Sequence, residues 1–384
     1  MSVKTRTKNL TKTKTAEVRV VETTLINKDE VFRMLALAEV TGLPLLLIGP
    51  PGVAKTKTVL EYAKAWMLKN IDKNDPDAIR KANQEFMEKL FILETDEDTK
   101  SSEVKGMPDM ESLFVQNRYE LVAPVTDAEV VIINEIDKAS SNIRNALLGV
   151  MNEKFLFNGK VKIPCKWKLF IGTCNAIPKD EIGAPFWDRF VLKMPVGRIT
   201  AGELQKYFKK GGRSYRETFN LGIPSKAEID TITVPHDKIE KFIEVCYSEC
   251  SDRTLTFVPN LVKTVAFIWN DTVDSALVKV ASLMVNDAAA ATLKEKLLSP
   301  AVRSVLAKVD MIKTTRKQVE VDQLLDEIQQ LVNTEAGAGK LSQTDVNDIN
   351  NTINYVLDNH SLEDENEAAA MLADGEEDPE FQID

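Results

Sequence analysis

The apolar run at residues 43–48 ends directly on Gly49-Pro50-Pro51-Gly52-Val53-Ala54-Lys55-Thr56, and a helix-period pattern opens immediately behind it. A strand that turns through a Gly-rich loop into a helix aims loop amides and a helix N-terminus at one small volume, which suits phosphate. On this reading Gly49, Pro50, Pro51, Gly52, Val53, Ala54, Lys55, Thr56 and Lys57 form a nucleotide cradle, Lys55 reaches the β and γ oxygens, and Thr56 ligates Mg²⁺. Ala54 stands where a last Gly is expected before the lysine. The loop tolerates it if its φ is negative or its methyl group clears the phosphate. The plain alternative is a chance Gly-Pro turn ahead of a helix.

The surroundings weigh against chance. Further buried-strand runs recur at 91–94, 129–133 and 168–174, between helical patterns at 28–40, 56–70, 76–89 and 141–152. That alternation predicts an α/β fold with a parallel sheet covered by helices. Val130-Val131-Ile132-Ile133-Asn134-Glu135 is an apolar strand whose carboxyl end delivers polar residues beside the loop. Glu135 is suited to orient and deprotonate an attacking water. Asn134 occupies a place that normally gives a carboxylate to the Mg²⁺ shell; its amide accepts from a metal-bound water but brings no charge. Asn175 closes another apolar strand, where an amide can hold the lytic water or the γ-phosphate. In Phe186-Trp187-Asp188-Arg189-Phe190, Arg189 is either half of a surface Asp-Arg pair or an arginine that reaches a neighbouring subunit's γ-phosphate.

Strand signals fade after about residue 198, and helical patterns follow at 200–209, 235–249, 257–270 and 273–287. The expected organisation is a flexible basic leader (1–15), an α/β core (16–198), a helical lid (199–291), a helical extension (292–360) and an acidic disordered tail (361–384). The tail holds ten acidic residues and no Lys or Arg, so it accounts for the whole formal charge of −10 and leaves the body balanced. The overall charge thus neither requires nor forbids a basic groove. Cys165, Cys174, Cys246 and Cys250 do not make a disulfide framework in a chain of 384 residues, which suggests a reducing, cytoplasmic setting. Cys246 and Cys250, at helical spacing, read as buried thiols. His236 and His360 are too far apart in sequence to suggest a histidine-based site. No stretch reads as a membrane span, so no membrane insertion is expected.

Taken together, GPPGVAKT, NEIDKASSNIRNALLGVMNEKF, GTCNAIP and PFWDRF resemble the AAA+ ATPases, most closely the MoxR family of the helix-2-insert clade, over about residues 20 to 290. The resemblance implies a P-loop core followed by an all-α lid and a helical C-terminal extension. It gives Lys55 and Thr56 the Walker A role, Glu135 that of Walker B base, Asn175 sensor 1, Arg189 the trans arginine finger and Arg253 the lid's sensor 2. Asn134 replaces the family's usual aspartate. Residues 114–122 resemble the helix-2 insert, and 155–163, turning at Asn158-Gly159, the hairpin before sensor 1; both usually face a ring pore or substrate.

From the same resemblance follow ATP and Mg²⁺ as cofactors and a homo-oligomer, usually a hexameric ring. The client is a separate protein, often with a von Willebrand A domain, that the ring remodels. Two other readings stay open. One is a nucleotide-binding scaffold that barely hydrolyses because of Asn134. The other, less favoured, is a nucleic-acid-stimulated motor in which Lys154, Lys160 and Lys162 meet phosphate and Phe155 and Phe157 stack on bases.

Overall fold

The computed structural model describes residues 17–357, apart from 70, 73, 117–120, 159–160, 179–183, 213–214, 315–317, 339–340, 342–344, 348 and 355. The basic leader, the acidic tail, His360 and Lys160 therefore lie outside the described residues. The chain divides into two compact units, Met1–Leu293 and Lys294–Asp384.

The first unit is built on a five-stranded, wholly parallel sheet in the order Leu192–Pro195, Leu45–Ile48, Leu169–Cys174, Val130–Asn134, Leu90–Glu94. The three central strands are almost continuously apolar because helices cover both faces, and their residues are buried nearly throughout. The edge strand Leu192–Pro195 adds to the four runs expected from sequence. Lys193 and Pro195 break its apolar pattern, as edge positions allow. One face of the sheet packs on a cluster in which Phe170 meets Trp167 at 5.6 Å and Phe190 at 6.3 Å, with Phe186 edge-on to Phe190 at 5.8 Å. Each such ring contributes roughly 1.5–3 kcal/mol by leaving water. The cluster also seats Arg189, which lies between Trp187 and Phe190 in the chain.

A second difference lies in the region whose pattern is all helix. Glu217–Ile223 is a strand that pairs antiparallel with Glu17–Thr23 along its whole length. Asn220 and Gly222, poor strand formers, hide it in the sequence. Its partner carries Arg19, whose guanidinium is buried and bound by Glu39, by Tyr62 Oη at 2.7 Å and by Glu17 at 2.9 Å. Those partners hold Arg19 charged against the cost of burial, while burial pushes the Tyr62 hydroxyl well above its usual range. Thr23 Oγ1 donates to Glu61 at 2.5 Å, so this strand is tied to the helix Lys55–Met67 that follows the phosphate loop.

The remaining elements of the first unit after residue 198 are helices, including Ala201–Lys209, Lys226–Asp230, His236–Cys246, Asp252–Thr256, Val258–Trp269 and Val273–Met284. Thr200 with Glu203 and Ser225 with Glu228 form reciprocal capping boxes, the S/T-x-x-E pattern that starts a helix. Val258–Trp269 is apolar on most sides, and it joins Asp29–Thr41 through Arg33 Nη1 on the Ile268 carbonyl at 3.0 Å and Trp269 Nε1 on Glu30 at 3.0 Å. The second unit pairs Pro300–Thr314 with Gln318–Gly337 about a core of its own, with Val302, Val305, Val309 and Ile312 at helical spacing against Val321, Ile328 and Val332.

Candidate nucleotide-binding site

All five strands of the sheet run the same way, so their carboxyl ends bring Gly49, Thr95, Glu135, Asn175 and Val196 to one rim. Gly49 is locked there. Its amide donates to the Cys174 carbonyl at 3.1 Å, Val196 N donates to Ile48 O at 2.6 Å, and a Cβ on Gly49 would stand 2.1 Å from the Val196 carbonyl oxygen. Gly49→Ala is therefore expected to lower stability by roughly 1–3 kcal/mol through displaced backbone. An unchanged thermal midpoint would show that the rim is looser than this.

Ala54 corrects the condition set from sequence. Its φ is +64°, in the left-handed region, so the methyl group must clear the phosphate by direction rather than by a negative φ. That placement costs an alanine roughly 1–2 kcal/mol, partly offset because glycine is freer when unfolded. Ala54→Gly should gain about 0.5–1 kcal/mol, read as a higher urea midpoint at constant m. A lower midpoint would contradict the strain.

Past Ala54, Lys55–Met67 begins with no side-chain cap on its N-terminal amides. Gly52, at φ +83°, has open space where a side chain would stand, with no atom within 4 Å of that point. The loop therefore leaves both room and donors for an anion. Lys55 Nζ folds back across the loop to the carbonyls of Gly49 at 2.6 Å and Pro50 at 3.2 Å. Beside the loop opens a cavity of about 750 Å³, lined by the apolar Leu25, Ile26, Ile199, Leu204 and Tyr207 and by Pro51, Gly52, Val53, Ala54 and Lys57 of the loop and the helix behind it. Lys28, Arg198 and Arg216 also reach its wall. An apolar recess joined to a cationic loop fits a nucleoside joined to phosphates. No sequence pattern marks these nucleoside-side residues, because they come from separate loops with no common period.

The structure brings Thr56 and Asn134 together: Thr56 Oγ1 donates to Asn134 Oδ1 at 2.8 Å, and Thr173 Oγ1 donates to the same oxygen at 3.1 Å. The Asn134 amide then donates through Nδ2 to Glu94 Oε1 at 2.5 Å. A hydroxyl, an amide oxygen and a carboxylate beside the phosphate loop are the oxygen donors that Mg²⁺ takes directly or through water. Glu94 is missed by sequence reasoning, since only the strand register brings it opposite Asn134.

Glu135 also has a positive φ, +52°, at the strand-to-turn corner, a strain of roughly 1–3 kcal/mol. Buried Thr95 holds it by donating to the carbonyls of Asn134 at 2.9 Å and Glu135 at 2.7 Å. The Glu135 carboxylate, 45% exposed, is paired with Lys138, whose own pKa that contact raises. Asn175 is exposed, and its backbone N–H donates to Asp137 Oδ2 at 3.4 Å. Burial, with Asp137 adding to it, pushes the Cys174 thiol up to about 12, which favours its neutral form. All four cysteines are free, with Cys165, Cys174 and Cys246 buried.

The two remaining arginines stand apart from this group. Arg189 follows the short helix Ala184–Trp187; its side chain is 28% exposed, 3.6 Å from Asp188, and its Nε is buried with no hydrogen-bond partner. Asp188 in turn accepts from Ser251 at 3.1 Å. Arg253 is exposed in Asp252–Thr256 and is not among the described residues lining the cavity. In the hairpin of Phe155–Asn158 and Val161–Pro164, Lys162 lies 4.0 Å from the Phe155 ring centre and 5.4 Å from that of Phe157, and Lys154 lies 3.8 Å from that of Trp167. These cations already cover aromatic faces, which gives the nucleic-acid reading no support.

Among the described residues no helix is long and apolar enough to cross a membrane, and no cluster of three or more His, Cys, Asp or Glu could hold a metal ion on its own.

Comparison with known proteins bears on the fold and the family. Over 162 residues the chain is 29% identical to a structural protein of Acidianus two-tailed virus, covering 41% of this chain and 23% of that protein. It is equally similar, over 161 residues, to an uncharacterized protein of Methanocaldococcus jannaschii, covering 41% of this chain and 37% of the other. The chain thus spans well under half the length of these curated relatives. In structure it resembles a Cytophaga hutchinsonii chain named as a candidate ATPase, with a TM-score of 0.51 and 18% identity, over 68% of this chain and 82% of that one. That likeness shows the fold. A family model described as the MoxR domain in the MoxR-vWA-beta-propeller ternary systems matches residues 11–73 and 97–233. The match takes in the phosphate loop, Asn134, Glu135, Asn175 and Arg189, and the chain belongs to the MoxR family of AAA+ ATPases.

Proposed function

We propose that this chain binds and hydrolyses ATP with Mg²⁺, as a ring whose sites are completed between subunits, and uses the cycle to remodel a separate partner protein. The observation that carries the reading is the convergence of Lys55, Thr56, Asn134 and Glu135 at one rim of the sheet beside an apolar recess. ATP would bring the phosphoanhydride bond, and Mg²⁺ would supply positive charge against its phosphates. Lys55 exchanges its loop carbonyls for phosphate oxygens. Thr56 and Asn134 hold the metal side, Asn134 through a water. Glu135 leaves Lys138 to orient a water and take its proton, and Asn175 steadies that water. Arg189 serves a neighbour's site, the role the family resemblance gives it, and its Nε is buried with no hydrogen-bond partner among the described residues.

Motion would pass to the helices after residue 198, since the cavity wall includes Leu204 and Tyr207 of Ala201–Lys209 and opens when the nucleotide leaves. The family description names von Willebrand A and beta-propeller components, and proteins of those classes are the proposed partners. The segment that carries Met107, Met110, Phe114, Val115 and Val122, all exposed, overlaps the expected insert at 114–122 and offers an apolar contact for such a client. Saturable binding of a fluorescent ATP analogue, with Mg²⁺-dependent phosphate release, is the expected result. No binding at millimolar nucleotide would remove the reading.

A further inference from the structure

The Mg²⁺ side of the site lacks the carboxylate that position 134 would supply, yet a carboxylate is within 2.5 Å of that position. Leu90–Glu94 and Val130–Asn134 are parallel neighbours with Glu94 in register with Asn134, so the two side chains leave the sheet together at the rim. The Asn134 amide is fixed in one orientation. Its oxygen accepts from Thr56 and Thr173, and its nitrogen, a donor only, faces Glu94 Oε1. Asn134 is only 5% exposed, whereas Glu94 is exposed, and among the described residues no Lys or Arg pairs with Glu94. Of the other acids nearby, Glu135 pairs with Lys138, and Asp137 takes one long contact from the backbone N–H of Asn175, its Oδ1 being buried without a partner among the described residues.

We propose that Glu94, presented by the neighbouring strand, supplies the negative charge of the Mg²⁺ site through a metal-bound water, and that Asn134 is the neutral bridge that holds it against Thr56. The pair carries the same single charge as an aspartate at 134 would. The amide is what makes it stable: a second carboxylate at 134 would face Glu94 at hydrogen-bond distance, and two acids that close cannot both ionise cheaply. Asn134 is then a relocation of the acid by one strand, and not a silenced site. This inference rests on the nucleotide reading above.

The test uses the full chain, Mn²⁺ as a paramagnetic probe followed by electron spin resonance in the presence of ADP, and fluorescent ADP binding in EDTA. Glu94→Gln should keep metal-free ADP binding and thermal midpoint but weaken Mn²⁺ roughly 10- to 100-fold, as loss of an outer-shell partner does. The double variant E94Q/N134D should return Mn²⁺ affinity to within about threefold of the parent, because the charge moves back across the ladder. Unchanged Mn²⁺ affinity in E94Q, or no recovery in the double variant, overturns the assignment of Glu94 while the nucleotide site stands. Failure of the parent chain to bind ADP with or without metal overturns the nucleotide reading and this inference with it.

Discussion

Lys55→Ala is expected to bind ATP at least roughly 100-fold more weakly than the parent chain, from two lost charge-assisted hydrogen bonds at about 1.5–3 kcal/mol each. The side chain reaches two carbonyls of its own loop, at Gly49 and Pro50, and supports no distant part of the fold. The thermal midpoint without nucleotide should therefore hardly move. Titration of a fluorescent ATP analogue by anisotropy checks the first half and calorimetry the second. Near-parental binding in K55A would mean that the phosphates sit elsewhere than over this loop.

Arg189→Ala is expected to do the reverse: nucleotide affinity stays within about threefold, while turnover falls roughly 10³- to 10⁵-fold, the range for loss of an arginine that neutralises charge on the transferred phosphoryl group. The separation follows from the proposed roles, in which the loop holds the nucleotide and Arg189, beside Asp188, serves a neighbour's site. If it acts across an interface, mixing R189A with K55A restores turnover, since the K55A subunit brings an intact arginine to the intact loop of its neighbour. Normal turnover in R189A alone would remove Arg189 from the mechanism.

Features legible in the sequence share one property: the signal and its physical cause lie within a few consecutive residues. Leu45–Ile48 and Val130–Asn134 read as buried strands because apolar side chains are needed on both faces, and the loop after Ile48 reads as a phosphate site because its amides and Lys55 act locally. Thr56 and Asn134 are each read from their own short segment, and the fold brings the two side chains to 2.8 Å. What stays hidden depends on register or on strain. Glu94 gains its meaning only from being opposite Asn134, and Glu217–Ile223 only from pairing with Glu17–Thr23, far earlier in the chain. The positive φ of Ala54 is imposed by the strand-to-helix corner, against the residue's own preference. The apolar recess beside the loop draws on Ile26, Ile199 and Tyr207, which no local pattern connects.

The central claim is that an ATP site on this chain is completed by a second copy of it. Turnover per protomer, measured with saturating ATP and Mg²⁺ across a wide range of protein concentration, tests that directly. The account predicts a rate near zero at high dilution that climbs to a plateau as subunits associate, with the climb absent in R189A. A rate per protomer that is finite and independent of concentration down to dilutions at which the chain sediments as a monomer would contradict it.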